Sequence, residues 1–549
     1  QSKKNGFEPS YLNPDDLSKS TGETASSTML TNENLLHYSK SFNEIHNLDV
    51  MLGMSYTREA SDALKGWGMG SPSDYLKYVT ADFQDIISIN GQPTAMKNYE
   101  SDFEESVMLS YFGRLAYNFN KKYLTEFTVR RDGSSVFGEN VRWATFPSVA
   151  LGWAFSEESF MERFWWLSYG KIRASWGKQG KAFRDPYLAH GVMASGNSFM
   201  GTLGMVPTMM LASDLTWEES DQYDIGLDVD LFDYRLKFKL DYYYKYSTSL
   251  LQLVQLPGNV YYHTSAMQNV LEISNEGLEL ELLADILRDG PVKWRARFNI
   301  SRNWNRFEKT NTGMDLTTAV IGRPVQGVYA YNDLGIVEHE NEIPVYVDRW
   351  GNKNPLNSGS AENPITPGMR LLEDVDGNGR IGQEDLVYVA SALPVAHGGF
   401  ANELKWKGFD LNVLLTYSLG RHIMNAYATP PSYRSIRYKD SPLFTNVENA
   451  TFWNKPGDKA DWPTLTASTN GYVGQFDGQY RSNIEKVNHL RLKQLTLGYN
   501  VPKEWLKKVN IEGVRLFLTG ENLFLLTNYS GLDPETVNPA KGGIDDFSN

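Results

Sequence analysis

The sequence predicts an all-β chain built as an antiparallel transmembrane β-barrel, and three observations carry that prediction. Apolar and polar residues alternate in segment after segment. The connections between these segments are short on one side and long on the other. The composition combines a mean hydropathy of −0.43 with 13% aromatic residues, 31 of them tyrosines.

The alternation is plain in the stretch 111–161. Tyr123, Thr125, Phe127 and Val129 fall on one face, and Leu124, Glu126, Thr128 and Arg130 fall on the other. A strand sends successive side chains to opposite sides, so this is a sheet with one oily and one wet face. The pattern recurs at 292–305, where Val292, Trp294, Ala296, Phe298 and Ile300 oppose Lys293, Arg295, Arg297, Asn299 and Ser301. It recurs again at 236–246 and 409–418. Counted along the chain there are about fourteen such strands: two before Arg58, four between Ser106 and Trp176, four between Ser220 and Trp304, and two each beginning near Val395 and Val487.

Connections at 39–43, 118–122, 232–234, 286–291 and 405–408 are short, and those at 156–167 and 500–511 a little longer. They alternate with long Gly-, Asn- and Tyr-rich stretches at 57–104, 178–219, 247–270, 306–394 and 421–484. Short turns on one side and long loops on the other are the habit of outer-membrane barrels, which places the short set in the periplasm and the long set outside. A soluble sandwich has no such two-sided asymmetry. No run of about 18 apolar residues occurs, which excludes a spanning helix, but barrel strands never produce one. Trp143, Trp153, Trp166, Trp176, Trp294, Trp304 and Trp406 lie near strand ends, as interfacial girdles require.

The wording of the strands resembles the SusC/RagA-like branch of TonB-dependent outer-membrane transporters. It does so at 112–124, at the RRDGSSVFG stretch 130–138, at 146–153 and 171–180, and again at 215–232, 241–251, 275–282, 491–502 and 519–535. The resemblance spans nearly the whole chain; Val136 and Lys181 are small departures from it. It implies a nutrient importer in the outer membrane of Bacteroidota that takes up oligosaccharides or peptides. TonB would supply the energy, and a SusD-like surface lipoprotein would act as a lid over loops 178–219, 306–394 and 421–484. The alternation starts and stops on the long-loop side. An odd number of strands is therefore expected to precede residue 1 and another to follow residue 549. The resemblance implies that the chain is the C-terminal portion of one barrel domain of about 22 strands, with about seven first strands, one last strand, the plug and the TonB contact outside residues 1–549. The first residues carry no apolar signal core. Export would then be signalled elsewhere.

One local motif carries chemistry. DVDGNGRIGQED, from Asp374 to Asp385, has the spacing of an EF-hand loop. Asp374, Asp376 and Asn378 would supply side-chain oxygens, Arg380 its carbonyl, Gly379 the turn and Asp385 a carboxylate, for Ca²⁺ or Mg²⁺. Position twelve usually holds the longer Glu, and the stretch reads equally as an acidic surface turn. Related DxNxDG stretches stand here in the family it resembles.

Loop aromatics Trp67, Tyr75, Tyr261, Tyr262, Tyr329, Tyr331 and Trp350 are candidate substrate contacts, since sugars and peptides both stack on such rings, although loop aromatics also anchor loops to one another. Arg130, Arg131 and Asp132 beside the tight loop suggest a wall-to-loop ion-pair network.

Catalysis is not expected. The chain has no Cys, and its eight His form no HExxH pair; no GxSxG or phosphate loop occurs. Glu218 and Glu219 are adjacent on a strand and point to opposite faces, so they cannot flank one glycosidic bond. A net charge of −13 argues against nucleic acid, whose phosphates need a basic footprint. The competing class is a secreted, calcium-containing β protein that binds or degrades glycans.

Overall fold

The computed structural model describes residues 2–8, 18–70, 75, 86–89, 92–95, 97–191, 193–199, 202–207, 210–256, 265–310, 313, 315, 320–348, 350–358, 364–425, 451–460, 463–464, 479–507, 511–531 and 533–536. Fifteen strands follow one another in sequence order through one large sheet. They are β1 (Ser2–Glu8), β2 (Lys19–Phe42), β3 (His46–Met69), β4 (Lys97–Phe119), β5 (Tyr123–Ser134), β6 (Trp143–Trp153), β7 (Leu167–Lys181) and β8 (Glu218–Leu231). The series continues with β9 (Leu236–Gln255), β10 (Ser265–Leu287), β11 (Val292–Lys309), β12 (Ala396–Trp406), β13 (Phe409–Met424), β14 (Ile484–Asn500) and β15 (Arg515–Thr527). None of the described helices is long and apolar enough to cross a membrane.

The chain divides into two compact units. One comprises Gln1–Leu151, Ser175–Asp221 and Ser247–Val270; the other comprises Gly152–Ala174, Gln222–Tyr246 and Leu271–Asn549. In the first, β2 and β3 pair from Lys19↔Met69 to Phe42↔His46, and β3 and β4 pair from His46↔Phe119 to Gly68↔Lys97, both without a register shift. In the second, β11, β12, β13, β14 and β15 form a continuous antiparallel ladder. The short turns bend through left-handed backbone: Asn120 and Lys121 have φ of 52° and 58°, and Phe232, Asp233 and Tyr234 are all positive. Two successive left-handed residues match the twist of the strands they join.

Burial along the strands is inverted relative to a soluble protein. On β5 the apolar face of Tyr123, Thr125, Phe127 and Val129 is exposed, whereas Leu124, Glu126, Thr128 and Arg130 are half-buried. Leu30, Leu36, Leu52, Leu115 and Leu151 are likewise exposed. Soluble monomers do not leave bands of this kind open to water, so the apolar face is built for lipid. The compact apolar cores lie in the loops instead. Phe137, Phe183 and Trp217 centre one in the first unit, and Tyr331, Leu356, Ile365 and Ile381 another in the second.

Two expectations need correction. β1 adds a strand to the count of about fourteen, pairing Ser2↔Ala25 through Glu8↔Lys19 ahead of the two strands expected before Arg58. Strands also continue far into the stretches expected as loops: β3 reaches Met69 and β4 starts at Lys97, β9 reaches Gln255 and β10 starts at Ser265. The physical reason is common to all four. Above the apolar band the outward face becomes polar, with Arg58 and Asp62, yet the backbone hydrogen-bond ladder propagates regardless of what the side chains meet.

Candidate functional site

The polar face of the sheet is cross-linked by ion pairs. Arg130 on β5 donates from Nε to Asp132 Oδ1 at 2.7 Å and from an Nη to Ser110 Oγ at 2.8 Å, and its guanidinium lies 5.3 Å from the Phe112 ring centre. Arg131, on the opposite face, lies over the Trp143 indole at 5.6 Å. The expected ion-pair network is therefore Arg130 with the buried Asp132, while Arg131 belongs to the outer surface. In the second unit Arg173 bridges Asp228 and Asp241 at 2.8 and 2.6 Å, and Arg515 holds Asp410 at 2.6 Å. Arg173 on β7 thus reaches β8 and, beyond it, β9, and Arg515 on β15 reaches across β14 to β13, so these bonds brace a polar wall over several strands.

The girdle tryptophans sit as their role requires. Trp143, Trp153, Trp166, Trp294, Trp304 and Trp406 are exposed, and Trp176 is half-buried. Trp294 and Trp304 share one face of β11 ten residues apart, about 33 Å along the strand. A tilt of roughly 40° reduces that to about 25 Å, the height of an outer-membrane apolar band. Arg302 stacks on Trp304 at 4.5 Å, its charge carried to the rim of that band.

The acidic loop folds into a closed turn. Asp374 Oδ1 accepts the Gly377 N–H at 2.8 Å and its Oδ2 the Gly379 N–H at 2.8 Å; Asp376 Oδ1 accepts from the Asn378 N–H at 3.0 Å. Asp385, fully buried, accepts from the Val375 and Gly382 N–H groups, each at 2.7 Å. Gly377 and Gly379 have φ of 74° and 82°, which lets the backbone wrap inward. Carboxylate oxygens of Asp374, Asp376 and Asp385 lie within 4.8 Å of one another. Asn378 turns its Oδ1 to the Arg380 N–H at 2.9 Å, and Arg380 reaches Glu384 at 3.3 Å. Burial raises the Asp385 carboxyl above its ordinary range, against the pull of its backbone donors and with Asp376 adding to the rise. Asp374 is held below its usual value by the N–H groups of Gly379 and Gly377 and by Tyr346, which outweigh its own burial.

The candidate aromatics are scattered. Trp67 is half-buried near the end of β3, paired with Thr21 and Asn98 in the ladders. Tyr75 and Trp350 are exposed, at 93% and 71%. Tyr329 packs edge-on to Tyr388 at 5.8 Å. Tyr331 is buried in the second unit's loop core, where burial, with Asp385 and Glu384 nearby, pushes its phenol up to about 12. Tyr261 and Tyr262 lie outside the described residues, as does most of 421–484. Sequence reasoning passed over Tyr346, whose phenol is pushed up to about 12 by burial and by the adjoining Asp374. Its distance of about thirty residues along the chain from the loop it supports left no local signal.

Glu218 and Glu219 have structural partners: Glu218 accepts the Leu251 N–H at 3.1 Å, and Lys178 donates to Glu219 at 2.8 Å.

Residues 4–328 match the family model described as TonB dependent receptor-like, beta-barrel. The TonB-dependent receptor P3 of Formosa agariphila is 31% identical over 540 residues, covering 94% of this chain and 50% of that protein. The TonB-dependent receptor SusC of Bacteroides thetaiotaomicron is 29% identical over 459 residues, covering 80% of this chain and 42% of that protein. Among solved structures, the RagAB peptide transporter superposes with a TM-score of 0.74 at 24% identity, over 97% of this chain and 55% of that one, a likeness of fold. The chain spans about half the length of the curated relatives it matches.

Proposed function

Because this chain belongs to the TonB-dependent receptor-like β-barrel family of the outer membrane, we propose that the full-length protein actively imports oligosaccharides or peptides across that membrane. TonB supplies the energy, and a SusD-like surface lipoprotein caps the long loops. The observation that carries the reading is the inversion of the sheet: lipid-facing leucines and aromatics outside, ion-paired polar residues on the other face. A wall of this kind suits a wet lumen through which a polar solute passes. The loop-borne apolar cores favour a shaped extracellular mouth, since they hold long loops in fixed positions.

The test is uptake by cells carrying the full-length gene. Growth on a cognate oligosaccharide or peptide should require both this protein and TonB; uptake that persists without TonB would leave a passive pore. Purification from native membranes should bring a surface lipoprotein along, and a barrel that stays solitary would count against the lid.

The acidic loop supports a second, local role for calcium as a loop staple. Each carboxylate oxygen that accepts a backbone N–H retains a lone pair, and three carboxylates gathered this closely repel one another unless a cation or proton intervenes. Asp374, Asp376 and Asp385 would hold the ion, with Asn378 and the Arg380 carbonyl completing the set. Calorimetric titration of wild type and Asp376→Ala with Ca²⁺ decides it; identical traces would remove the site.

A further inference from the structure

A cavity of about 480 Å³ opens in the first unit between the upper parts of β3 and β4 and the segment 182–186. Its location within the wall follows from strand parity. Thr57, Glu59 and Ser61 share a face with Asp49 and Ser55, opposite Leu52, Met54 and Tyr56. They therefore point to the polar side, above the level at which the outward face turns from apolar to the Arg58–Glu105 ion pair. The stretches expected as loop are thus strand, and they raise a rigid wall around this niche.

Two carboxylates line it from neighbouring strands. Glu59 is opposite Ser106 and Ser61 is opposite Glu104, so Glu59 and Glu104 are diagonal neighbours on one face. Neither forms a hydrogen bond or ion pair with any described residue. A diagonal pair on one face is within reach of long side chains, and two like charges held at that distance repel. A cation between them reverses the sign of that interaction.

The opposite wall is apolar and fixed. Met108, Val136 and Phe183 contribute to it, and Phe183 packs edge-on against Phe137 at 4.8 Å within the buried core. The Tyr187 hydroxyl accepts the Glu105 N–H at 3.3 Å and His190 bonds the Ser135 carbonyl at 2.9 Å, tying the covering segment to the strands. Arg184 also lines the cavity. A niche of this size falls within the range of small-ligand pockets. Its lining matches a group with a charged head and an aliphatic stem.

We infer that this cavity is a subsite for a cationic side chain of the imported solute, a protonated amine or guanidinium on an aliphatic stem, with Glu59 and Glu104 receiving the charge. The assignment rests on the importer reading for its biological sense, but binding can be measured without transport. The full-length protein in detergent is titrated calorimetrically with trilysine, trialanine and a trimer of glucosamine. Trilysine should bind more tightly than trialanine, weaken with added salt, and lose about tenfold or more in affinity in the Glu59→Gln/Glu104→Gln double variant. Arg184→Gln, which removes a repelling charge, should strengthen trilysine binding. Both glutamates are exposed and the replacements isosteric, so the heat-induced unfolding temperature should not fall, and it is measured alongside. Equal binding of trilysine and trialanine, or an affinity unchanged in the double variant, overturns the subsite. A glucosamine trimer bound as tightly as trilysine overturns the aliphatic-stem assignment. Failure of TonB-dependent uptake in cells, with these binding results intact, would instead overturn the importer reading.

Discussion

Arg130 and Arg131 are neighbours that the pleat sends to opposite solvents. Arg130 neutralises a buried carboxylate on the wet side, while Arg131 lays its guanidinium over an indole at the rim of the lipid band. Replacing Arg130 by Met should leave Asp132 without its cation and Ser110 without its donor, costing roughly 1–3 kcal/mol. The same change at Arg131 should cost under about 1 kcal/mol. Urea unfolding of the refolded protein in lipid vesicles would measure both, and equal costs would contradict the assignment of faces. At the acidic loop the sign of a pH effect follows from burial. Metal ligands must be deprotonated, and the Asp385 carboxyl holds its proton to higher pH than a free aspartate. Calcium affinity should therefore begin to fall, as pH is lowered, at a pH above the ordinary carboxylate range; an affinity flat down to that range would argue against Asp385 as a ligand. The residue types and spacing of this loop were legible in the sequence. The Tyr346 and Tyr331 rings that support it were not, because they arrive from separate stretches of chain.

At the level of elements, the strand β11 offers a controlled comparison. Ile300 lies on the lipid face between Trp294 and Trp304, and Ser301, the next residue, lies on the polar face beside Glu279. Ile300→Arg should destabilise the barrel by about 2–4 kcal/mol, as a cation near the middle of the bilayer does, whereas Ser301→Arg gains a carboxylate neighbour and should be within about 0.5 kcal/mol of neutral. Vesicle-based urea titrations read the difference, and the reverse order would invert the sheet. Period-two alternation identified nearly every strand of the large sheet in advance. What it misjudged was strand length, at β3, β4, β9 and β10, because alternation of polarity reports the solvent on each side of a strand. Above the membrane both sides are wet and the signal fades while the hydrogen-bond ladder goes on.

At the scale of the whole molecule, an exposed apolar band and an ion-paired polar face require a lipid or detergent surround. The full-length protein should fractionate with outer membranes and stay in solution only with detergent; recovery from a buffer extract would contradict the fold assignment. The sequence by itself determined the fold class, the strand order and the face each side chain takes, because a strand's two-residue period and its turn lengths are local properties of the chain. The tertiary structure alone decided how far the strands rise, that Tyr331 lies in a core, and that Glu59 and Glu104 meet in one cavity. Those outcomes depend on register between residues some forty-five positions apart in sequence and on loops folding back across the wall, and no local pattern encodes either.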